Sequence, residues 1–187
     1  MTTNALQSAE WRILERLLMP ANALAVEVML ETGLRVSDVL NLRTEQLKST
    51  RLTVCECKTG KTRVVTLSRN LLDRLKRQAG CIYVFESPQK AWKHRTRQAV
   101  WTDIKRAAKA MRIDLNVAPH SARKTYACDM YRKTGDIKVV QALLNHDNVG
   151  TTVLYLIDAF AANNVGGFIS SEASTEEGGQ HYERSEK

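Results

Sequence analysis

Five basic side chains and one phenol are the residues in this 187-residue chain whose types and spacing suggest chemistry. Pro119-His120-Ser121-Ala122-Arg123 sets an imidazole and a guanidinium three residues apart. Leu144-Asn145-His146 adds a second imidazole, and Tyr155 follows nine residues later. A second guanidinium, Arg35, lies upstream in Thr32-Gly33-Leu34-Arg35-Val36-Ser37-Asp38, and Lys58 lies between them in Cys57-Lys58-Thr59-Gly60-Lys61. Guanidinium is planar, permanently charged and able to hold two oxygens at once. A pentacoordinate phosphorane carries more charge on its equatorial oxygens than the ground state, so donors fixed there favour the transition state. Such a cationic set suits a phosphodiester. A lone tyrosine beside it has one obvious covalent task, attack on phosphorus.

Each residue also has a plainer reading. Tyr155 by itself is a helix tyrosine at the edge of a core, and a free phenol with a pKa near ~10 attacks poorly without help. Tyr83, Tyr126 and Tyr131 lack its placement after a histidine, and Tyr182 falls in a polar tail. Arg35 reads equally as a helix cap or a partner of Asp38. Lys58 would protonate a leaving oxygen, desolvation bringing its pKa toward the working pH. Lys61 competes for that role, and both also read as a solvated turn. His120 and His146 suit helix-end buttresses as well as proton transfer, and the sequence leaves open which of them moves a proton.

The elements that must position these groups are mostly helical. Ser8 is a candidate cap for a first helix carrying Trp11, Leu14, Leu17 and Leu18 on one face, with Pro20 as its stop. Ala21 to Thr32 reads as a second helix with Gly33 as its C-cap. Ser37-Asp38 opens a short helix through Leu42, which puts Arg35 on a connection fixed at both ends. Arg51 to Cys57 and Thr62 to Leu67 read as strands joined by a hairpin loop in which Gly60 supplies positive φ. A helix from Ser68 to about Ala79 follows, and Ile82 to Phe85 is either a third strand or core. Helices are predicted over Thr96 to Met111, Ser121 to Thr134, Asp136 to Asn145 and about Val149 to Asp158. The last two would form a pair bringing His146 and Tyr155 to one end. The fold class is therefore mainly α with a small antiparallel β-sheet (α+β).

Hydrophobic residues make up 43% of the chain, enough for one ordinary core, and no run of 18 apolar residues suggests a membrane span. The first ten residues lack the basic-then-apolar pattern of a signal peptide, so a secreted protein is not expected and a cytoplasmic one is. The final 17 residues hold five Glu against Arg184 and Lys187, a net of −3, so the body rises from the chain's +8 to +11. A body that basic points to a polyanion. Cys55, Cys57, Cys81 and Cys128 match no zinc spacing and are expected as buried free thiols. Lys90, Lys93, Arg95 and Arg97 form a basic strip leading into a helix that also carries Lys105. With Lys61 these are candidate DNA contacts, the plainer reading being a solvated charge run.

This order and spacing resembles the tyrosine recombinase (phage integrase) family, from about Ser8 to Phe160. That family carries Arg after a Thr-Gly-like turn, Lys at a β-hairpin, His-x-x-Arg, then Leu-Gly-His with Tyr nine residues on. The resemblance implies Arg35, Lys58, His120, Arg123, His146 and Tyr155 as catalytic residues. It also implies transesterification through a 3′-phosphotyrosine and a free 5′-hydroxyl, with no cofactor or metal. The partner would be double-stranded DNA, bound by a homo-tetramer formed from monomers. Residues 1–170 would be the catalytic domain and 171–187 a disordered tail, without the family's N-terminal core-binding domain. Val165, Phe168 and Ile169 would form a docking element for a neighbouring subunit. Alternatives are a type IB topoisomerase-like enzyme and a DNA-binding regulator on the same scaffold. Three departures stand out: Lys124 where a histidine is usual, Asn145 where a glycine is usual, and Leu156-Ile157 after the tyrosine.

Overall fold

The computed structural model describes residues 3–166. The polar tail from Ser171, together with Phe168 and Ile169, lies outside the described residues. In chain order the elements are α1 (Ser8–Glu15), α2 (Pro20–Thr32), α3 (Val36–Leu40), a 3₁₀ turn (Thr44–Gln46), β1 (Arg51–Cys55), β2 (Thr62–Thr66) and α4 (Arg69–Gln78). Then come β3 (Glu86–Ser87), β4 (Lys90–His94), α5 (Arg97–Ala110), α6 (Pro119–Thr134), α7 (Ile137–Leu144) and α8 (Val149–Gly166). The architecture is mainly helical with a small amount of antiparallel β-structure, as the sequence pattern implies, but the described residues form two ribbons where one was expected.

Helix starts follow their chemistry. Ser68, Thr96 and Asp136 cap α4, α5 and α7 through side-chain oxygens that accept backbone N–H groups. Ser8 does not cap α1. Its hydroxyl donates to Asp129 of α6 at 2.8 Å, and the cap position falls to Gln7, whose N–H donates to Glu10 at 2.7 Å. Pro20 opens α2 rather than stopping α1, since a first-turn position needs no N–H. Gly33 ends α2 at φ +65°, and a Cβ there would lie 2.4 Å from the Tyr126 ring. Only glycine allows both that backbone and so close an approach by α6.

β1 and β2 pair from Arg51 opposite Thr66 to Cys55 opposite Thr62, with Gly60 at φ +68° in the loop. The β3–β4 ribbon is absent from the sequence reading, because Lys90 to His94 has no β-branched residue and Pro88 reads as a turn. The segment from Ile82 to Phe85 is not a strand: among the described residues a single bridge joins Tyr83 to Arg43, and of the four residues Val84 and Phe85 are core while Ile82 is exposed. β1 stops at Cys55, so Cys57 lies in the loop rather than on the strand expected to reach it. Cys55, Cys57 and Cys81 are exposed and only Cys128 is buried, which corrects the expectation of buried thiols.

Two apolar clusters meet at α6. The larger gathers α1, α2, α4, α5 and the inner faces of β1 and β2; the smaller joins α6 to α7 and α8 through Ala127, Cys128, Val140, Leu144 and Leu156. α6 is buried at every residue from Ser121 to Cys128, so its polar groups need partners inside. Thr125 accepts from the Trp11 indole at 2.9 Å, and Lys124 donates to the Thr3 carbonyl at 2.7 Å. α8 continues past the predicted end near Asp158 to Gly166. Among the described residues no helix is long and apolar enough to cross a membrane.

Candidate active site

Arg35 is the N-cap residue of α3, its backbone held between Gly33 and the first turn of that helix. It does not pair with Asp38. The Asp38 carboxylate is buried and accepts the backbone N–H of Cys57 at 2.8 Å, which pins the hairpin loop to α3. Arg35 donates instead to Glu56, at 2.6 Å, just beyond β1. Glu56 is 0% exposed, accepts the Thr59 hydroxyl at 2.9 Å, and has the Arg63 Nε 3.6 Å from its other oxygen. Burial pushes this carboxyl upward, but hydrogen bonds from Arg35 and Thr59 outweigh that and hold it below its ordinary value. Arg63 also donates to the carbonyls of Thr32, at 3.1 Å, and Leu143. One buried carboxylate and one guanidinium thus lock the hairpin to the ends of α2 and α7.

Arg123 is 1% exposed and donates to the carbonyls of Gly33 and, at 2.6 Å, Leu144. Both carbonyls belong to helix C-terminal ends, which carry unsatisfied acceptors and partial negative charge. Burial, then Arg35, lowers the Arg123 pKa to about 10, with Tyr155 opposing, so the group stays cationic at neutral pH.

His146 follows Asn145, which ends α7 at φ 54° and ψ 43°. Asparagine is one of the few non-glycine residues that adopts this left-handed backbone readily, which explains its standing where the family has glycine. The His146 ring has Nδ1 3.1 Å from the Thr152 hydroxyl and Nε2 3.4 Å from Arg123. Burial, then Arg123 and Arg35, lowers its pKa to about 4.

Tyr155, on α8, hydrogen-bonds through its hydroxyl to Nε2 of His120 at the start of α6. It meets the His120 ring edge-on at 4.9 Å and the His146 ring edge-on at 5.3 Å. Burial raises the phenol pKa above its ordinary value, with Arg123 and Arg35 opposing. The His120 pKa is lowered to about 4 by burial of its inner side, then by Lys124, Arg123 and Arg35. Its outer side is exposed, so water tempers the shift, but the ring is neutral at pH 7. A protonated phenol therefore meets a neutral imidazole able to take its proton. Lys124 is buried with its ammonium 5.6 Å from the Tyr155 ring centre.

A cleft of about 610 Å³ lies beside these groups, lined by Arg35, His120 and Arg123 and, from the start of α5, Thr96, Arg97 and Trp101. The structure thus brings together Arg35, His120, Arg123, His146 and Tyr155. Lys58 is exposed in the hairpin loop and makes no hydrogen bond or ion pair among the described residues. Lys61 pairs with Asp147, next to His146. Of the basic strip, Arg97 reaches the cleft, Lys90 and Lys93 are exposed on β4, and Arg95 is half-buried. Lys105 donates to Asn116 at 2.6 Å and lies 5.7 Å from the Trp101 ring, so it is engaged within the protein.

Sequence reasoning missed Glu56, Arg63 and Thr152. A readable signal existed for the first two. Leu52 and Val54 share the inward phase of β1, which Glu56 continues just past its end, and Arg63 and Val65 share that of β2. Opposite charges at inward positions of facing strands announce a buried pair. Thr152 carried no such signal.

The fold defines a class, that of tyrosine recombinase catalytic domains. The chain aligns with 100% of the catalytic domain of bacteriophage HP1 integrase over 94% of its own length, at a TM-score of 0.64 and 21% identity. It also matches the XerH site-specific recombinase, solved in a post-cleavage complex with palindromic difH substrate, at a TM-score of 0.70 and 19% identity, over 89% of this chain and 52% of that one. In sequence it is 33% identical over 144 residues to tyrosine recombinase XerD of Lacticaseibacillus casei, covering 69% of this chain and 47% of that protein. The family model described as "Phage integrase family" matches residues 12–161, and the chain belongs to the phage integrase family. It spans about half the length of the curated relatives it matches.

Proposed function

We propose that this chain catalyses site-specific DNA recombination, cleaving and rejoining strands through a 3′-phosphotyrosine. The observation that carries the reading is the Tyr155 hydroxyl hydrogen-bonded to His120 beside the cleft that holds Arg35 and Arg123. The relatives' names support it, as does the XerH recombinase solved with its DNA after cleavage. In this reading the Tyr155 oxygen attacks the scissile phosphorus as His120 takes the phenol proton. Arg35 and Arg123 hold the equatorial oxygens, and His146 donates to one of them. The P–O5′ bond breaks, and Lys58 protonates the leaving oxygen. Lys58 suits that role better than Lys61, whose ammonium is engaged by Asp147. The 5′-hydroxyl of a partner strand then reverses the step. One ester replaces another throughout, so no external energy source is needed.

The partner is double-stranded DNA, bound across the cleft with Arg97, Lys90 and Lys93 on phosphates, by four copies for a complete exchange. Residues 1–170 act as the catalytic domain. The test is a nicked duplex whose short 5′-product diffuses away and traps the covalent complex, run in EDTA. A protein–DNA adduct that Tyr155→Phe abolishes, with binding retained, is expected. An adduct formed equally by the Phe variant defeats the reading, and an adduct that depends on a divalent metal defeats the mechanism.

A further inference from the structure

Thr152 is fully buried on α8, one helical turn before Tyr155. It is not among the residues the sequence motifs single out. Its hydroxyl meets His146 Nδ1 at 3.1 Å, while Nε2 of the same ring faces the Arg123 guanidinium at 3.4 Å. These two contacts fix the hydrogen-bond logic of the imidazole. Guanidinium can only donate, so Nε2 accepts. His146 is neutral at physiological pH, its pKa being lowered to about 4 by burial first and by Arg123 and Arg35 next. A neutral ring has one N–H, which is then on Nδ1 and donates to the Thr152 oxygen. Such a ring cannot donate from Nε2 to a phosphate oxygen, which is its task in the reaction above.

A hydroxyl resolves the conflict, because it is both a donor and an acceptor and rotates to suit. A backbone carbonyl in its place would hold the proton on Nδ1, and a carboxylate would favour the imidazolium. We propose that Thr152 is a positioning residue that lets neutral His146 exchange tautomers, accepting from Nδ1–H in the free protein and donating to Nδ1 when a phosphate occupies the cleft. The ring gives up the Nδ1 proton and takes one on Nε2 through solvent, with no change in net charge. The free site thereby keeps His146 Nε2 engaged by Arg123, and the occupied site gains a donor without the cost of ionising a buried imidazole. The inference rests on the cleft taking a phosphodiester.

The test is ¹⁵N spectroscopy of the His146 ring in the full chain, free and with inorganic phosphate, alongside the Nε–H signals of Arg35 and Arg123. In the free protein Nδ1 should carry the proton; with phosphate the proton should move to Nε2. Thr152→Val should remove the phosphate-dependent change, and Thr152→Ser should keep it. In cleavage assays the Val variant should lose roughly tenfold or more in rate at unchanged DNA affinity, a fraction of what a direct oxyanion donor is worth, and the Ser variant should recover most of it. Arginine signals that respond to phosphate while His146 stays in one tautomer overturn the exchange alone. Arginine signals that ignore phosphate overturn the phosphate-site reading and the exchange with it. Equal cleavage by the Val and wild-type proteins removes Thr152 from the mechanism.

Discussion

At the scale of single residues, the arrangement separates two kinds of cation. Arg35 and Arg123 are immobilised by partners that use part of their donor set, which leaves the remainder aimed without rotational freedom. Lys58 is the opposite, exposed and on a loop, and must swing to act. Lys58→Ala should therefore lose cleavage of normal DNA but recover it on a 5′-bridging phosphorothiolate, whose sulfur leaves without a proton; rescue of Lys61→Ala instead would transfer the role. The two depressed histidines set a second expectation. A histidine with a folded pKa near 4 binds fewer protons than its unfolded form between pH 4 and 6.5, so stability is full above 6.5 and falls as pH drops toward 4. Urea midpoints measured from pH 7.5 to 5 should decline, and His146→Gln should flatten the slope. The meeting of Arg35, His120, Arg123, His146 and Tyr155 was legible because their types and spacing together are rare, whereas Lys58 stays out on its loop. Thr152 and Lys124 were not, since a threonine or lysine in a helix means nothing until its neighbours across the fold are known.

At the scale of elements, the site depends on where helices end. Gly33 closes α2, gives its carbonyl to Arg123, precedes Arg35 by two residues, and has Tyr126 of α6 against its Cα. Gly33→Ala should destabilise the fold by more than about 2 kcal/mol, strain and clash adding. Gly60→Ala and Gly135→Ala, with positive φ but nothing within 4 Å of an added Cβ, should each cost only about 1 kcal/mol or so in the same denaturation series. Helix starts and stops were largely readable from capping chemistry. The β3–β4 ribbon was not, because its pairing is imposed by tertiary contacts on residues with little strand preference. The length of α8 was hidden by Asn163-Asn164 and Gly166, which read locally as breaks. The buried Glu56–Arg63 contact shows what the alternation of β1, carried one residue past its end, and of β2 contains when charge is read by phase as well as by run.

At the scale of the whole molecule, the body carries a net +11, and the cleft has basic groups on two sides, Arg35 and Arg123 within and Arg97 at the mouth. Charge of this kind binds DNA by releasing counterions, which does not discriminate among sequences. If about five cations meet phosphates, log K against log salt should fall with a slope of about −4.5 on duplex DNA, measured by anisotropy from low to physiological salt. A slope near zero would argue against a phosphate-lined interface. Composition is the feature that points to a polyanion partner. The docking of a tyrosine from α8 against a histidine from α6, 35 positions earlier, required the fold.

The central claim is that Tyr155 itself becomes linked to DNA, and the direct measurement is peptide mapping of the trapped adduct. The wild-type chain is reacted with a nicked duplex, digested with protease and nuclease, and the modified peptide sequenced by mass spectrometry. The predicted result is a single nucleotide attached through its 3′-phosphate to Tyr155. Attachment at Tyr126, Tyr131 or any other residue, or linkage through a 5′-phosphate, would contradict it.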